Sequence, residues 1–239
     1  MTTLVWSLEW RRAAARRRLF VLNVTMPLVL VAPMAVGAPH VHAAAAYAVL
    51  FGIFSVFGSA IPLVRDGEGG LVERMLRGGV SPRALLLQRT AAGTVLDALQ
   101  LAPALLVVGA GAGASSTSLG VAALALVGSL WVGNLLGVVA ASAARSHAEA
   151  ALFSAVFALL LLHASGVFRT PAPGGPAALV ESLSPFRALH ESLLNLTFGR
   201  ASGFTSLAVW AGLGAAVVTA AAPRIVASLP GAARPSGTC

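Results

Sequence analysis

The sequence predicts an all-α integral membrane protein with six transmembrane helices, and two overall properties support that fold class. Of 239 residues, 57% are hydrophobic and only 10% are charged, with a mean hydropathy of +0.86. Soluble domains carry about 25% charged residues, so this composition excludes an ordinary soluble fold. In addition, six apolar runs reach the length of about 20 residues that a membrane-spanning helix requires. No polar stretch is long enough for a separate soluble domain, and we treat residues 1–239 as one transmembrane domain.

Residues 1–18 precede the first apolar run and combine tryptophan with arginine. Trp6 and Trp10 share this segment with Arg11, Arg12, Arg16, Arg17 and Arg18. The combination is typical of a helix lying at the inner membrane surface, so we expect an interfacial helix here. A signal peptide cleaved near His42 is the alternative. The apolar run that follows is, however, longer than the 7–15 residues of a typical signal-peptide core.

The six apolar runs set the expected order of the remaining chain. They cover residues 19–38, 43–64, 90–111, 119–143, 150–168 and 204–222. Three longer polar segments complete the prediction: a cytosolic loop at 65–89, an outer segment at 169–203 and a cytosolic tail at 223–239.

The orientation follows from the arginines, which are the chain's only basic residues apart from histidine. With the N-terminus inside, only Arg169, Arg187 and Arg200 of the 16 arginines fall on outer segments. The positive-inside rule therefore predicts that both termini are cytoplasmic in a plasma (inner) membrane. The same arginines lie beside spans and lack interleaved aromatic residues, which argues against nucleic-acid binding. The lysine-free, alanine-rich composition indicates a prokaryotic, high-GC genome.

The 65–89 loop is expected to contain a short amphipathic helix. Gly67, Gly69 and Gly70 predict a flexible beginning. The apolar positions share one face at helical spacing, namely Leu71, Val72, Met75 and Leu76. On another face, Glu73 and Arg77 form an i,i+4 pair.

The same loop also contains the signals that end one helix and begin the next. Gly78 and Gly79 are typical of a helix C-terminus, whereas Ser81–Pro82 is typical of an N-terminus. The apolar face of the short helix could dock into a groove on a soluble partner. Alternatively, it could lie on the lipid headgroups.

One acid lies well inside an apolar run. Asp97 is followed three residues later by Gln100, on the same helix sector. Intramembrane ionisable residues are costly and indicate function by default, so the two side chains could line a polar path or lock two helices together. An ion pair between Asp97 and an inner arginine is the structural alternative.

The remaining motifs are weaker. Gly133 and Gly137 form a GxxxG pattern that allows close helix approach. His40 and His42 could chelate a metal only weakly and lack a third ligand, so we expect no metal site. The single cysteine, Cys239, excludes an internal disulfide and a cysteine-based metal cluster. Asn195 begins a glycosylation sequon, a pattern that arises often by chance. Enzyme and P-loop signatures are absent from the sequence.

The outer segment 169–203 is predicted to contain two short helices. It opens with closely spaced prolines and glycines, and a first helix is expected at 177–183. Ser184–Pro185 predicts the start of a second helix, which Gly199 would end. Its apolar stripe consists of Phe186, Leu189, Leu193 and Leu194. We expect a hairpin that dips into the outer leaflet, the alternative being a surface loop.

This order of parts resembles the membrane subunit of ABC-2 type exporters over nearly the whole chain. The stretch RDGEGGLVERML, which starts at Arg65, is similar to the family's coupling helix, although Gly70 stands where the family commonly has threonine. The tetrapeptides SGVF, starting at Ser165, and LSPF, starting at Leu183, are similar to the family's segment before the last span.

The resemblance implies a transport role coupled to a separate ATPase. The implied coupling helix consists of Glu68, Gly69, Gly70, Leu71, Val72, Glu73, Arg74, Met75, Leu76 and Arg77. The implied outer gate consists of Phe168, Ser184, Pro185, Phe186, Leu189 and Leu193. The expected partners are an ABC ATPase subunit, which would bind ATP and Mg²⁺, a second permease copy and the lipid bilayer. The chain itself would bind no cofactor and would not be an enzyme.

Two other functions fit the same architecture. One is a haem- or cytochrome-assembly type of ABC permease. The other is a polytopic membrane scaffold or a secondary transporter, for which an inverted internal repeat would be expected. No such repeat is evident in the sequence.

Overall fold

The computed structural model describes residues 3–168, 175–197 and 203–231, and within these ranges the chain forms ten helices and no strand. The helices are α1 Thr3–Ala15, α2 Arg17–Gly37, α3 His40–Glu68, α4 Leu71–Arg77, α5 Pro82–Gly111, α6 Ser116–Ala143, α7 His147–Ala164, α8 Pro176–Leu183, α9 Arg187–Leu194 and α10 Phe204–Ser228. Six of them (α2, α3, α5, α6, α7 and α10) are long and apolar enough to cross a membrane. The predicted all-α, multi-pass architecture is confirmed, with the spans in the predicted order.

The helices α3 and α5 extend beyond the predicted apolar runs. They contain 29 and 30 residues, which at a rise of 1.5 Å per residue gives about 43–45 Å. The hydrocarbon core is only about 30 Å thick, so both helices continue past it. Gly67 accordingly lies inside α3 and does not form a flexible beginning of the loop. Hydropathy marks the apolar part of a helix, whereas the backbone hydrogen bonds continue through the polar residues that follow.

Serine hydroxyl groups fix the starts of three helices. The Ala84 amide donates to Ser81 Oγ at 3.2 Å, which confirms the helix start predicted at Ser81–Pro82. Ser115 caps α6 and Ser146 caps α7 in the same way, at 3.1 and 3.2 Å. Each hydroxyl satisfies an amide that has no partner within its own helix.

The central contact of the bundle is the crossing of α3 and α6. A Cβ atom at Gly133 would lie 2.3 Å from the Cβ of Ser55, and one at Gly137 would lie 2.5 Å from the carbonyl oxygen of Val56. Only residues without a side chain fit at these two positions. The GxxxG pattern therefore allows the close helix approach that was predicted for it.

Two apolar clusters fill the two ends of the bundle. One cluster joins α1, α4, the end of α3 and the starts of α5 and α7, and we call this the arginine-rich end. The other joins the start of α3, the end of α5 and the short helix α9, and we call this the opposite end. The peripheral helices expose large apolar side chains, such as Val36 with 90% of its surface, as expected of residues facing lipid tails.

The last helix departs from its predicted end. Residues 223–228 were expected in a tail but belong to α10, which ends at Ser228. The turn after it folds back onto α3, so that a Cβ at Gly67 would lie 2.6 Å from the Pro230 carbonyl oxygen. Arg234 and Cys239 lie outside the described residues.

Candidate functional site

The other helices of the same chain cover part of the apolar face of the short helix α4. Val72 and Met75 are exposed by only 3% and 7%, and they pack in the cluster that contains Leu63 and Leu85. The prediction that this face docks into a partner's groove does not hold for Val72 and Met75, which the bundle already covers, whereas Leu71 and Leu76 stay partly exposed. The ends of α3, α5 and α10 leave an apolar notch beside α4, and burying Val72 and Met75 there removes apolar surface from water. Leu71 and Leu76 are partly buried against the same cluster.

The opposite face of α4 is exposed and basic. Arg74, Arg77, Gly78 and Gly79 are exposed, and we call these four residues the α4 surface. Arg77 pairs with Glu73 in the predicted i,i+4 arrangement. Arg74 Nη2 donates to the carbonyl oxygen of Gly69 at 3.3 Å.

Glycines with positive φ bound α4 at both ends. Gly70 has φ of 66° and Gly79 has φ of 85°, a conformation that favours glycine. The Val80 amide donates to the Met75 carbonyl at 3.1 Å, which completes the helix-terminating hydrogen-bond pattern predicted for the Gly78–Gly79 pair. The helix is thus a short rigid unit between two sharp turns.

An ion cluster joins α1, α3 and α5, and its members Asp66 and Arg89 are buried. Asp66 Oδ2 accepts from Arg12 Nη1 at 2.8 Å and lies 2.7 Å from Arg89 Nη1. Glu9 lies 3.3 Å from Arg12 and 3.9 Å from Arg89. Two acids and two arginines balance one another, which offsets much of the cost of burying these charges. Nearby, the predicted coupling residue Glu68 pairs with His147 at 2.8 Å.

Asp97 does not form the ion pair that the sequence suggested as an alternative. Its carboxylate accepts from Asn134 Nδ2 at 3.1 Å, and Asn134 Oδ1 in turn accepts from Ser59 Oγ. The inner arginine Arg89 is instead engaged by Asp66. Asp97 therefore links α5 to α6 and α3 through uncharged partners, which agrees with the predicted locking of helices.

A cleft of about 450 Å³ opens between α2, α3 and α5, and both predicted intramembrane polar residues line it. Gln100 accepts from Asn23 Nδ2 at 3.2 Å, which joins α5 to α2 across the cleft. The polar lining comprises Glu9, Asn23, Ser59, Arg89, Asp97 and Gln100. The apolar lining is larger and includes Leu19, Ile53, Phe54, Phe57 and Leu96. Such a mixture of an apolar wall and a few polar groups is typical of small-molecule sites.

The short helices α8 and α9 lie at the opposite end of the bundle. Phe186 packs edge-on against Phe51, with 4.8 Å between ring centroids, and Leu189 and Leu193 are buried beside it. Pro185 is also buried. The second helix begins at Arg187, two residues after the predicted start at Pro185. The Ser184 hydroxyl is hydrogen-bonded to Ser165 Oγ at 2.6 Å and does not cap α9.

Phe168 differs from the other predicted gate residues because its side chain is 52% exposed and is not part of the buried cluster around Phe186. Of the prolines and glycines expected to open the outer segment, Pro171, Pro173 and Gly174 lie outside the described residues. The same holds for Gly199, which was expected to end the second helix.

At the opposite end of the bundle, two histidines join neighbouring segments by donating to backbone carbonyl oxygens. His190 Nδ1 donates to the Ser165 carbonyl at 3.0 Å, and His40 Nε2 donates to the Leu193 carbonyl at 2.6 Å. Burial lowers the pKa of His190 below its ordinary value. Within the described part of the chain, no group of three or more potential metal ligands comes together.

In a comparison with protein-family models, the model of the ABC-2 type transporter matches residues 2–198. The match covers well over half of the chain. The chain belongs to the ABC-2 type transporter family. It is a membrane-spanning permease of an ABC transporter, a transport domain and not a catalytic one. Permeases of this family usually work with an ATPase subunit. A search of curated proteins found none that matches the chain.

The match of the ABC-2 permease extends from α1 to α9 and ends before α10 begins at Phe204. The matched region therefore contains α4, the ion cluster, Asp97 and the cleft. The groove on one side of α4 is nevertheless completed by Pro223 and Val226 of α10. The last span thus contributes to the α4 region although it lies beyond the matched residues.

Sequence reasoning missed several of the polar contacts in this ABC-2 permease. Asp66 was read as part of a loop, although an acid directly after an apolar run and near several arginines is a signal for an ion pair. Asn134 lies between the two glycines of the GxxxG pattern, which drew attention to helix approach and not to the amide. A buried amide inside a span commonly bonds to another helix, and that rule could have paired it with Asp97.

Proposed function

We propose that this permease belongs to an ATP-driven exporter of the drug, lipid or polysaccharide class, and that α4 is its coupling helix. The single observation that carries the proposal is the division of α4 into two faces. One face is fixed to the bundle through Val72 and Met75, whereas the α4 surface stays exposed and basic. A helix built in this way can receive a contact on one side and pass displacement to the bundle on the other.

The proposed orientation puts the arginine-rich end in the cytoplasm of a prokaryotic cell, with both termini there. The arginines of α1, of α4 and of the α6–α7 turn at Arg145 all belong to this end, as the positive-inside rule requires. The membrane would be the plasma (inner) membrane. The α4 surface would then face a soluble partner, an ABC ATPase that binds ATP and Mg²⁺.

In the proposed mechanism, closure of two ATPase subunits moves the α4 helices of two permease copies. The displacement would reach α3 and α5 through the apolar cluster that Val72 and Met75 share with Leu63 and Leu85. The Asp66 ion cluster then ties α3 and α5 to α1. Packed helices respond by rigid-body rearrangement more readily than by continuous deformation. At the opposite end, α8 and α9 would gate the exit through Ser184, Pro185, Phe186, Leu189 and Leu193. The exposed Phe168 would contribute to contact with lipid or with the second copy.

The test uses charge reversal on the α4 surface, because charges introduced at the buried Met75 would disturb folding. The permease and the nucleotide-binding subunit of its transporter are reconstituted together, and ATP hydrolysis is measured with and without permease. We expect the R74E/R77E variant to lose at least tenfold in affinity for the ATPase and to lose its effect on hydrolysis.

The matched control is R145E, which reverses an exposed arginine in the α6–α7 turn at the same end of the bundle. It should leave association and hydrolysis unchanged. Undiminished association of the R74E/R77E permease would remove α4 from the contact. A cross-link between R77C, introduced after C239S, and the ATPase would give a second, direct measurement of the same contact.

A further inference from the structure

Asp97 is a buried acid whose partner carries no charge. The ion cluster around Asp66 contains two acids and two arginines, so it is neutral within itself. Asp97 receives a hydrogen bond from Asn134, and among the residues that the structure describes no arginine or histidine forms an ion pair with it. An ionised carboxylate in an apolar region is costly without a positive charge nearby, so the group either takes up a proton or pairs with a cation that enters the cleft.

The carboxylate of Asp97 faces the cleft across a glycine. A Cβ atom at Gly58 would lie only 2.9 Å from Asp97 Oδ2, so any side chain at this position would press on the carboxylate. Gly58 and Asp97 both line the cleft between α2, α3 and α5. The missing side chain at Gly58 lets the Asp97 carboxylate lie directly against α3 in the lining of the cleft.

The rest of the cleft suits an apolar molecule that arrives from the membrane. Phe54, Phe57 and Leu96 line its wall. Leu19 and Ile53 also line it and are 49% and 45% exposed, so the cleft opens on the lateral surface of the bundle. Aromatic faces also attract cations, which strengthens the preference for a positively charged guest over a neutral one.

We propose that this cleft binds an amphiphile with a single positive charge, whose cationic group pairs with Asp97 and whose apolar body lies against Phe54, Phe57 and Leu96. The inference rests on the proposed function and names the substrate class of the exporter. An anionic guest is disfavoured, because Glu9 and Asp97 line the cleft and would repel it, whereas the charge of Arg89 in the same lining is balanced by Asp66.

The test measures binding to the purified permease alone, in phosphatidylglycerol nanodiscs and without the ATPase. Two probes of nearly identical shape and opposite charge are compared, tetraphenylphosphonium and tetraphenylborate. We expect the wild-type protein to bind the phosphonium at least tenfold more tightly than the D97N variant does, with no such loss for the borate. The amide introduced by D97N can still accept from Asn134, so the helix contacts persist in this variant.

Two further variants separate a charge effect from a structural one. G58A keeps Asp97 but displaces its carboxylate, so phosphonium affinity should fall severalfold. E149Q removes an acid outside the cleft and should bind as the wild type does. Equal phosphonium binding by the wild-type and D97N proteins would overturn the proposal, as would a loss of equal size for the borate.

Amine headgroups of membrane lipids and free lipophilic cations share the chemistry that Asp97 would recognise. Phosphatidylethanolamine is therefore added to the nanodiscs. Competition with the phosphonium in the wild type, but not in D97N, assigns the site to a lipid amine, and no competition assigns it to a free cation. Both outcomes support a cation site. Because no ATPase is present, failure of this binding test is distinguishable from failure of coupling through α4, which R74E/R77E reports.

Discussion

The polar contacts described above between helices differ in kind at the two ends of the bundle, although within α9 Arg187 also pairs with Glu191. At the arginine-rich end, Asp66 joins three helices through Arg12 and Arg89, which are charged partners. At the opposite end, Ser165 and His190 join their neighbours through neutral hydrogen bonds. Ion pairs act over longer distances, whereas neutral hydrogen bonds depend on close geometry and can be exchanged one for another at modest cost.

This difference fits the tasks proposed for the two ends. An end that receives a push from a partner must move as one body, and a buried ion cluster makes the separation of its helices expensive. An end that opens and closes must exchange contacts, and neutral hydrogen bonds worth about 0.5–1.5 kcal/mol each allow this. Substitutions at matched positions test this difference between the two ends.

The largest effect is expected at the ion cluster. The D66N substitution leaves Arg89, which is only 6% exposed, with the more distant carboxylate of Glu9, at 3.9 Å, as its acidic neighbour. Breaking a buried pair from one side costs about 3–5 kcal/mol, so we expect a large decrease in melting temperature in detergent. The control E73Q breaks the pair with Arg77, whose side chain is 72% exposed, and should cost below about 1 kcal/mol. Similar melting of the two variants would contradict the assigned role of Asp66.

The next effect is expected at the crossing of α3 and α6, which lies between the two ends. In G137A the new methyl group would lie 2.5 Å from the Val56 carbonyl oxygen, and backbone atoms cannot easily move away. We expect a loss of about 1–3 kcal/mol from overpacking. G120A is the matched control on the same helix, with nothing within 4 Å of the new atom. It should be neutral or slightly stabilising, because alanine favours helix over glycine. The melting temperatures of both variants are compared, and equal values would contradict the close contact inferred at Gly137.

A smaller effect is expected at the opposite end. F186L removes the edge-on contact with Phe51 while keeping an apolar side chain. Aromatic pairs contribute about 0.5–1.5 kcal/mol beyond their buried area, so stability should fall by about that amount. F168L alters a phenylalanine that is 52% exposed and should leave melting unchanged. If F168L were the more harmful of the two, the assignment of Phe186 to the packed cluster would be wrong.

The smallest effect is a pH dependence confined to the opposite end. Burial lowers the pKa of His190, so the folded protein resists protonation that the unfolded chain accepts. Stability is therefore fully present above the ordinary histidine pKa of about 6.5 and decreases as the pH falls below it, until the lowered pKa is reached. Melting temperatures between pH 8 and pH 5 should show this decrease in the wild type and a weaker one in H190Q. Identical profiles would indicate that His190 does not titrate as inferred.

The sequence predicted the elements of this fold better than their contacts. Apolar runs of sufficient length can hardly adopt another structure in a bilayer, because each backbone polar group must find a partner within the chain. Ser81–Pro82 and Gly78–Gly79 also marked helix ends correctly, since capping depends on local residues alone. The extension of α3 to Glu68 was missed because hydropathy does not report backbone hydrogen bonding.

Contacts between distant residues could not be predicted in the same way. The apolar face of α4 was expected to meet a partner, because its sequence gives the same signal whatever covers it. Only the arrangement of α3, α5 and α10 shows that Val72 and Met75 are already covered. Likewise, Asp97 was compatible with an arginine or an amide partner, and the rotation of α6 that presents Asn134 decides between them.

The turn from Leu229 to Gly231 crosses α3 at Gly67, where a Cβ would meet the Pro230 carbonyl oxygen. Backbone therefore touches backbone between parts of the chain that are far apart in sequence. Under the proposed mechanism, this contact makes α10, the sixth span, move together with α3, the second span, when the ATPase displaces α4. A larger residue at Gly67 would separate the turn from α3 and leave the α4 surface intact. The displacement of α3 would then no longer be transmitted to α10.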